Sequence, residues 1–196
     1  MKRRNLGSAV AAIALLSPLI FIQGCSDIIG ATRSQPIEEQ PSRRSWGRML
    51  DDESIETKAL VNIRKADERL KHSHIIVVSI NGNVLLTGQV PDQELSRVAE
   101  RTVSDIRYVR RVHNELEISP ARDLSMRSAD TWITTKIKSK MLFSTRVDPA
   151  EVKVVTDAGT VYLLGLVNQT SADKAVEMAR NTSGVRKVVR MFEYLP

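Results

Sequence analysis

The residues best suited to chemistry in this chain of 196 residues are three histidines and a run of acidic residues. The histidines are His72, His74 and His113, and the first two have a spacing that could offer two ligands to a metal ion. No cysteine and no nearby pair of carboxylates completes such a site. Asp51 to Glu53 coincide with a predicted helix start, where negative charge favours the helix dipole. We therefore predict no metal site at these residues.

Two other patterns argue against an enzyme. No nucleophile-elbow pattern frames a serine, although Ser, His and Asp are all present. Gly82 and Gly88, like Gly159 and Gly165, are predicted in hairpins and strands. They do not form a phosphate loop, because no helix begins after the first glycine of either pair. We predict no catalytic residues, no cofactor and no small-molecule substrate.

The single cysteine, Cys25, follows an apolar N-terminal segment. Basic residues 2–4 precede the stretch 9–22, which is too short to span a membrane and is typical of a secretory signal. The motif Ile22-Gln23-Gly24-Cys25 resembles a bacterial lipobox, in which the thiol after the cleavage point accepts diacylglycerol. An exported protein rarely keeps one unpaired thiol. We predict a signal peptide over residues 1–24 and lipidation of Cys25.

The residues after Cys25 indicate whether the protein is directed to the inner or the outer membrane. Residue 26 is Ser and not the Asp that marks inner-membrane retention in enteric-type bacteria. This favours the outer membrane, with the protein lipid-anchored and facing the periplasm, where several acyl chains would hold it stably. Residues 25–50 are polar, contain Pro36 and Pro41, and show no apolar periodicity. We predict a flexible tether there.

The rest of the chain is a tandem duplication. The segment 81–90 matches 158–167 at an offset of 77, and Asp52 and Ile55 match Asp130 and Ile133 at an offset of 78. Residues 109–112 match 185–188 at an offset of 76. Offsets that change by one residue along the chain are typical of single-residue insertions or deletions in loops. We predict two domains, over residues 51–119 and 120–196.

Each copy has the order αββαβ. In the first copy we predict a helix capped by an acidic residue, a hairpin of strands 75–80 and 84–90 with a tight turn at Asn81-Gly82-Asn83, a helix after Asp92, and a strand over 108–118. In the second copy the predicted elements are 130–143, 152–156, 160–167, 170–182 and 185–195, with Thr170 and Asp173 as a capping box.

This order resembles the BON domain. The resemblance depends on Gly88 and Gly165, on the valines that follow them, on residues 185–188 and on the segment 130–136. The first copy departs from the pattern at Tyr108, where the second has Gly184. The resemblance implies an α+β fold, with a small three-stranded mixed sheet covered by two helices in each copy. With the lipobox, the whole chain resembles dual BON-domain outer-membrane lipoproteins.

Positive charge is concentrated in the second copy. Residues 51–119 contain ten Lys and Arg against twelve Asp and Glu, whereas residues 120–196 contain twelve against eight. Nucleic acid is a poor partner for an exported protein. The charge therefore favours anionic lipid or an acidic envelope partner.

The first helix of the second copy has an unusual outer face. Ile133, Ile137 and Met141 form the stripe that should face the sheet, and Trp132, Lys136, Ser139 and Phe143 form another, roughly 100° away, with Lys138 and Leu142 to one side. In the first copy Ser54, Arg64 and Lys65 replace Trp132, Leu142 and Phe143. Aromatic rings beside lysines suit a membrane interface, but the residues alone also allow these rings to pack against the first copy or the linker.

The resemblance implies that this helix binds anionic phospholipid such as phosphatidylglycerol or cardiolipin, and that the protein supports outer-membrane integrity and accumulates at division sites. We expect Trp132 and Phe143 to face lipid, Ile133 and Ile137 to position the helix, and Lys136, Lys138 and Lys140 to attract phosphate. The alternative is a protein-binding scaffold for an envelope assembly, such as the outer-membrane insertion machinery or division proteins.

Overall fold

The computed structural model describes residues 46–195, which form two modules with the same order of elements. The first contains α1 (Trp46–Ala66), a 3₁₀ helix (Glu68–His72), β1 (His74–Ile80), β2 (Asn83–Val90), α2 (Gln93–Ser104) and β3 (Arg111–Ile118). The second contains α3 (Leu124–Leu142), β4 (Val152–Asp157), β5 (Thr160–Val167), α4 (Gln169–Arg180) and β6 (Lys187–Tyr194). Cys25, the predicted signal peptide and tether residues 25–45 lie outside the described residues.

Each module has a three-stranded mixed sheet. The central strand, β2 or β5, pairs antiparallel with the strand before it and parallel with the last strand. A tight turn suffices for the antiparallel pair, whereas the parallel pair requires a crossover, which α2 or α4 provides. The predicted α+β fold of two small mixed sheets with helices is confirmed.

One face of each sheet is covered by the two helices of its module. In the first module the covering residues recur every four positions along each helix, as expected for one apolar stripe. They are Ile55, Ala59 and Ile63 of α1 and Leu95, Ala99 and Val103 of α2, which enclose Val84, Leu86 and Val90 of β2. The second module repeats this core with Ile133, Ile137 and Met141 of α3.

Both first helices begin earlier than predicted. α1 begins at Trp46, so the last five positions of the predicted tether, 46–50, are helical. α3 begins at Leu124, and the Asp123 carboxylate caps it by accepting from the Met126 N–H at 3.0 Å. The apolar periodicity did not predict these first helical turns, because residues 47–50 and 124–126 are exposed and form no apolar stripe against the core.

The other boundary differences have local causes. β3 and β6 begin at Arg111 and Lys187, a few residues later than predicted. Tyr108 and Gly184 have positive φ values of 72° and 96°, and the N–H groups of the next residues, Val109 and Val185, still donate back to Ile106 and Thr182 in a turn. The predicted capping box is wrong. Asn168 caps α4 by accepting from the Ser171 N–H at 2.8 Å, and Asp173 pairs with Arg190 instead.

In each module a buried carboxylate joins the first helix to the hairpin turn. The local sequence of neither copy predicts this contact. Asp52 accepts from the N–H groups of Asn81 (2.8 Å) and Gly82 (3.0 Å). Asp130 accepts from those of Ala158 (2.9 Å) and Gly159 (2.8 Å). Both carboxylates lie inside their helices, so the prediction that the acidic run caps the first helix is wrong for Asp52.

The turn residues themselves adopt the predicted left-handed conformation. Asn81 and Gly82 have φ values of 53° and 74°, and Ala158 and Gly159 have 53° and 70°. Two successive residues with positive φ are typical of the tight turn that matches strand twist. Their N–H groups point away from the ladder, where the aspartate accepts them.

The glycines inside β2 and β5 allow close approach of the neighbouring strand. A Cβ at Gly88 would lie 2.0 Å from the carbonyl oxygen of His74, and one at Gly165 would lie 2.4 Å from that of Glu151. Both obstacles are backbone atoms, which cannot move aside as a flexible side chain would. The matching glycines of the duplication are therefore explained by sterics.

The second face of each sheet packs against the other module. Ile80 and Leu85 of the first module form an apolar cluster with Tyr162 and Leu164 of the second. At one end of this interface, buried Asp157 accepts from the Thr87 hydroxyl (2.9 Å) and the Gln89 amide (3.1 Å). The two modules therefore share a sheet-to-sheet core as well as having their own.

Glu193 forms the polar contact at the other end of the interface. Its carboxylate accepts from the side-chain amides of Asn81 and Asn83, both at 2.6 Å, and from Arg110 at 2.7 Å. Burial alone would raise the pKa of Glu193, but these hydrogen bonds and the charge of Arg110 outweigh burial and lower it below its ordinary value of 4.5.

We predict that Asp130→Ala lowers the free energy of unfolding by about 2 kcal/mol or more, because two buried N–H groups lose a charged acceptor. Urea denaturation of the 26–196 fragment, which contains both complete cores, measures the change. Asp173→Ala is the matched control, since its pair with Arg190 is exposed and worth little. Equal losses for the two variants would contradict a structural role for the contact between Asp130 and the turn.

We predict that Glu193→Gln destabilises the protein near pH 7 and that this effect fades in acid. A lowered carboxyl pKa contributes stability above the ordinary value of 4.5, and that contribution is lost as the pH falls through the lowered pKa. Thermal unfolding of both proteins from neutral pH down to about pH 3 tests this. Glu68→Gln, at an exposed pair with Lys71, serves as control. A constant difference at all pH values would refute the electrostatic origin.

Candidate functional site

The inner face of α3 is built as the sequence predicts. Ile133 is 6% exposed, and Ile137 and Met141 are fully buried in the core of the second module. We expect Ile133 and Ile137 to position the helix in lipid binding, and their side chains point into the protein. They fix the height and rotation of the helix and do not reach a ligand at the surface.

The outer face of α3 presents large apolar side chains to solvent. Trp132 is 63% exposed, Leu142 67% and Phe143 87%. Within residues 46–195, neither Trp132 nor Phe143 is covered by the first module or by the linker before α3, so packing of these rings against either is not observed. Leu124 and Met126, in the turn of α3 that the sequence did not predict, add further exposed apolar surface.

The lysines of α3 occupy different flanks of this face. The Lys136 ammonium donates to the carbonyl of Ser183 at 2.6 Å and lies 6.0 Å from the centre of the Trp132 ring. The Lys140 ammonium donates to the Asn181 carbonyl at 2.7 Å and to the Thr182 hydroxyl at 2.8 Å. Both lysines thus satisfy acceptors at the C-terminal end of α4, where positive charge is favoured.

Lys138 lies on the opposite flank. It lines a cleft between α3, β4 and the first module, and it forms no ion pair with the residues that the structure describes. The three lysines expected to attract phosphate are therefore not equivalent. Sequence reasoning missed this because the acceptors at 181–183 are remote in sequence and no periodic pattern identifies them.

The first module provides an internal comparison for this face. Its helix α1 has Ser54, Arg64 and Lys65 at the positions of Trp132, Leu142 and Phe143, and the two basic residues are exposed. The inner faces of both helices are apolar and buried, with Ile55, Ala59 and Ile63 of α1 at the positions of Ile133, Ile137 and Met141 of α3. At these three positions one copy of the fold presents polar side chains, and the other presents large apolar side chains to solvent.

The histidines do not come together. Burial lowers the pKa of His113, and burial followed by the charge of Arg127 lowers that of His74. No group of three or more His, Cys, Asp or Glu residues among positions 46–195 could hold a metal ion. Of the helices in the same range, none is long and apolar enough to cross a membrane.

Comparison with known proteins agrees with this architecture. The BON domain profile matches residues 51–120 and again residues 129–196. The chain is 37% identical over 183 residues to "Outer membrane lipoprotein DolP" of Haemophilus influenzae, covering 92% of this chain and 94% of that protein. It is 38% identical over 152 residues to "21 kDa hemolysin" of Actinobacillus pleuropneumoniae, covering 78% of each.

Among solved structures, the C-terminal domain of CdsD, a structural protein of the type III secretion system of Chlamydia trachomatis, matches with 15% identity and a TM-score of 0.31, covering 69% of this chain and 96% of that one. The profile matches both modules, and the relative of Haemophilus spans nearly the whole chain. This chain therefore belongs to the BON-domain family, with two copies of the domain in tandem.

Proposed function

We propose that this chain is an outer-membrane lipoprotein, anchored through lipidated Cys25 and facing the periplasm, whose second module docks on anionic phospholipid. The lipobox-like motif and the printed name of the Haemophilus relative support the anchor and the membrane. The proposal includes no catalytic step. A role in outer-membrane integrity, exercised at division sites, follows from the resemblance stated for the whole chain and forms part of the proposal.

The observation that carries the docking proposal is the exposure of Trp132 on α3 and of Phe143 at the C-cap of this helix. A group of exposed apolar side chains marks an interaction surface, and Trp is enriched at the level of lipid headgroups. Leu142 and Phe143 at the end of the helix extend the apolar area. The buried residues of α3 hold this area rigidly against the sheet, so docking requires no rearrangement of the helix.

Charge supports an anionic membrane over a neutral one. Lys136 and Lys140 lie on the flank of α3 next to α4, and Lys138 lies on the other flank, so positive groups border the aromatic face on both sides. Each basic side chain near an anionic bilayer contributes about 1 kcal/mol to the free energy of membrane binding. Insertion of apolar rings and attraction of phosphate thus act on the same surface.

We predict that replacing the outer face of α3 by that of α1 weakens membrane docking. The triple variant Trp132→Ser, Leu142→Arg, Phe143→Lys installs the residues of the first module and adds two positive charges. If insertion of the rings is essential, binding of the 26–196 fragment to phosphatidylglycerol vesicles weakens by at least about tenfold, because burying each large apolar side chain is worth roughly 1.5–3 kcal/mol. Vesicle flotation at graded anionic content measures it.

Val61→Ser is the control, since it removes an exposed apolar side chain from α1 at the position that corresponds to Ser139. Thermal unfolding of both variants checks that they are folded. Tighter binding of the triple variant would mean that charge alone drives association and would refute ring insertion. Binding by the parent that does not depend on anionic lipid would refute the anionic-lipid proposal, and no binding to any vesicle would favour the protein-scaffold alternative.

A further inference from the structure

An open cavity of about 800 Å³ lies where the hairpin turn of the first module meets the ends of β5 and β6. This volume is within the range of about 300–1,000 Å³ that is typical of small-ligand sites. Its walls combine charged side chains with two exposed tyrosines, Tyr108 and Tyr194. Of the described residues that line it, none belongs to α3. Both modules therefore contribute to a cavity that is separate from the proposed docking surface.

Tyr108 has a backbone conformation that residues with large side chains rarely adopt. Its φ of 72° lies in the left-handed region, where a bulky residue is an outlier. The fold requires this conformation, because the chain turns here so that the Arg110 N–H donates to the Gly82 carbonyl at 2.8 Å. The second module forms the same contact at 2.8 Å, with Gly184 at the position of Tyr108. The first module thus has a large ring where glycine would relieve strain.

The packing of Tyr108 does not explain why the ring is kept. Strained residues persist where something compensates for the strain, and they concentrate at functional sites. Tyr108 is 57% exposed, and within residues 46–195 its ring contact is with the exposed guanidinium of Arg107, 4.6 Å from the ring centre. The second module has Ser183 and Gly184 at these two positions, so the pair is specific to the first module. A ligand of the cavity accounts for the ring better than the fold does.

Both tyrosines of the cavity are held by neighbouring side chains. The Arg107 guanidinium covers one face of the Tyr108 ring and leaves the other face for a ligand. Tyr194 packs against Phe192, with ring centroids 6.4 Å apart and planes tilted by 58°. A tyrosine has an apolar ring and a polar hydroxyl, so it suits a ligand that is apolar on its faces and polar at its edge. The pyranose ring of a sugar has this character, because C–H groups cover its faces and hydroxyl groups surround it.

The charged groups of the cavity favour a ligand without net charge. The walls contain three carboxylates and two guanidinium groups, those of Asp51, Asp52, Glu193, Arg48 and Arg110. The formal charge is therefore nearly balanced, and Arg110 pairs with Glu193 at 2.7 Å. A phosphate or carboxylate ligand would meet the carboxylates of the walls. A hydroxyl group both donates and accepts, so the edge of a sugar can contact carboxylates and guanidinium groups in turn.

We propose that this cavity binds a neutral glycan strand, with Tyr108 and Tyr194 against the pyranose faces and with Arg110 and Glu193 on the hydroxyl groups. The cell wall is the source that we choose, because the proposed function places the chain in the periplasm, where the glycan strands of the wall consist of N-acetylated sugars. The chemistry of the cavity does not depend on lipid docking. The protein would bind the membrane through its second module and the cell wall through the junction of both modules.

The first test uses Tyr108→Gly in the 26–196 fragment, which gives the first module the residue of the second. We expect binding of chitotetraose, a neutral oligomer of N-acetylglucosamine, to weaken by at least about tenfold, because a ring contact is lost. Thermal unfolding should occur at an equal or higher temperature, since glycine adopts positive φ without strain. Isothermal titration calorimetry measures the affinity.

Two further variants make this test decisive. Val61→Ser removes an exposed side chain of α1 outside the cavity and should leave chitotetraose binding unchanged. Tyr108→Asn removes the ring but keeps a residue type that tolerates positive φ, so it is free of the entropy cost of glycine. A clear loss of thermal stability in both Tyr108 variants would show that the ring holds the fold, and would overturn the proposal. Unchanged binding in both would overturn it as well.

The second test separates the ring of Tyr194 from its hydroxyl group. Tyr194→Phe retains the ring, and Tyr194→Ala removes it. We expect chitotetraose binding within about twofold of the parent for the first variant and roughly tenfold weaker binding for the second, because the contact uses the ring face. Equal weakening in both variants would mean that the hydroxyl group makes the contact, and would refute stacking on the sugar.

A third test identifies the source of the glycan by NMR titration. Chitotetraose should shift the amide signals of residues 108, 110 and 194 more strongly than cellotetraose, a glucose oligomer that lacks acetamide groups. Stronger shifts with cellotetraose would point to a soluble glucose oligomer and overturn the choice of the cell wall. No shift with either sugar would overturn the glycan proposal. Vesicle flotation of Tyr108→Gly should equal that of the parent, so this failure is distinguishable from failure of the proposed lipid docking.

Discussion

The contact on which each module depends is the buried aspartate that joins its first helix to its hairpin turn. Asp52 and Asp130 accept two backbone N–H groups each from residues held in left-handed conformations. Without this acceptor the turn would bury unsatisfied donors. The contact also fixes where α1 and α3 lie along the sheet. The rotation of α3, and therefore the exposure of Trp132, follows from this contact together with the apolar stripe beneath the helix.

The duplication separates what the fold requires from what a surface adds. The two modules share the aspartate, the turn, the strand glycine and the inner helix stripe, all of which have steric or hydrogen-bonding reasons. No such steric or hydrogen-bonding constraint applies to the outer faces of the first helices, and there the copies differ. Ser54 corresponds to Trp132, and Lys65 corresponds to Phe143. Because the sheets pack against each other through their second faces, the helices of both modules remain on the outside.

The sequence predicted the parts that depend on local periodicity. The inner stripe of Ile133, Ile137 and Met141 followed from helical spacing, and the left-handed turn followed from Asn81-Gly82. It did not predict the roles of Asp52 and Asp130, because their partners lie about thirty residues away. The cavity between the modules was missed for the same reason, since Tyr108 and Tyr194 belong to different modules. The early starts of α1 and α3 were missed because exposed turns have no apolar pattern.

The hydrogen bonds of Lys136 and Lys140 to the end of α4 have a consequence for the energetics of contact with any charged surface. A free lysine gives up about 1.5–2 kcal/mol of rotamer entropy when it is immobilised. These two side chains are already ordered by carbonyl groups of their own module. The positive potential beside Trp132 is therefore preorganised, and it is present at first encounter without waiting for the side chains to find their positions.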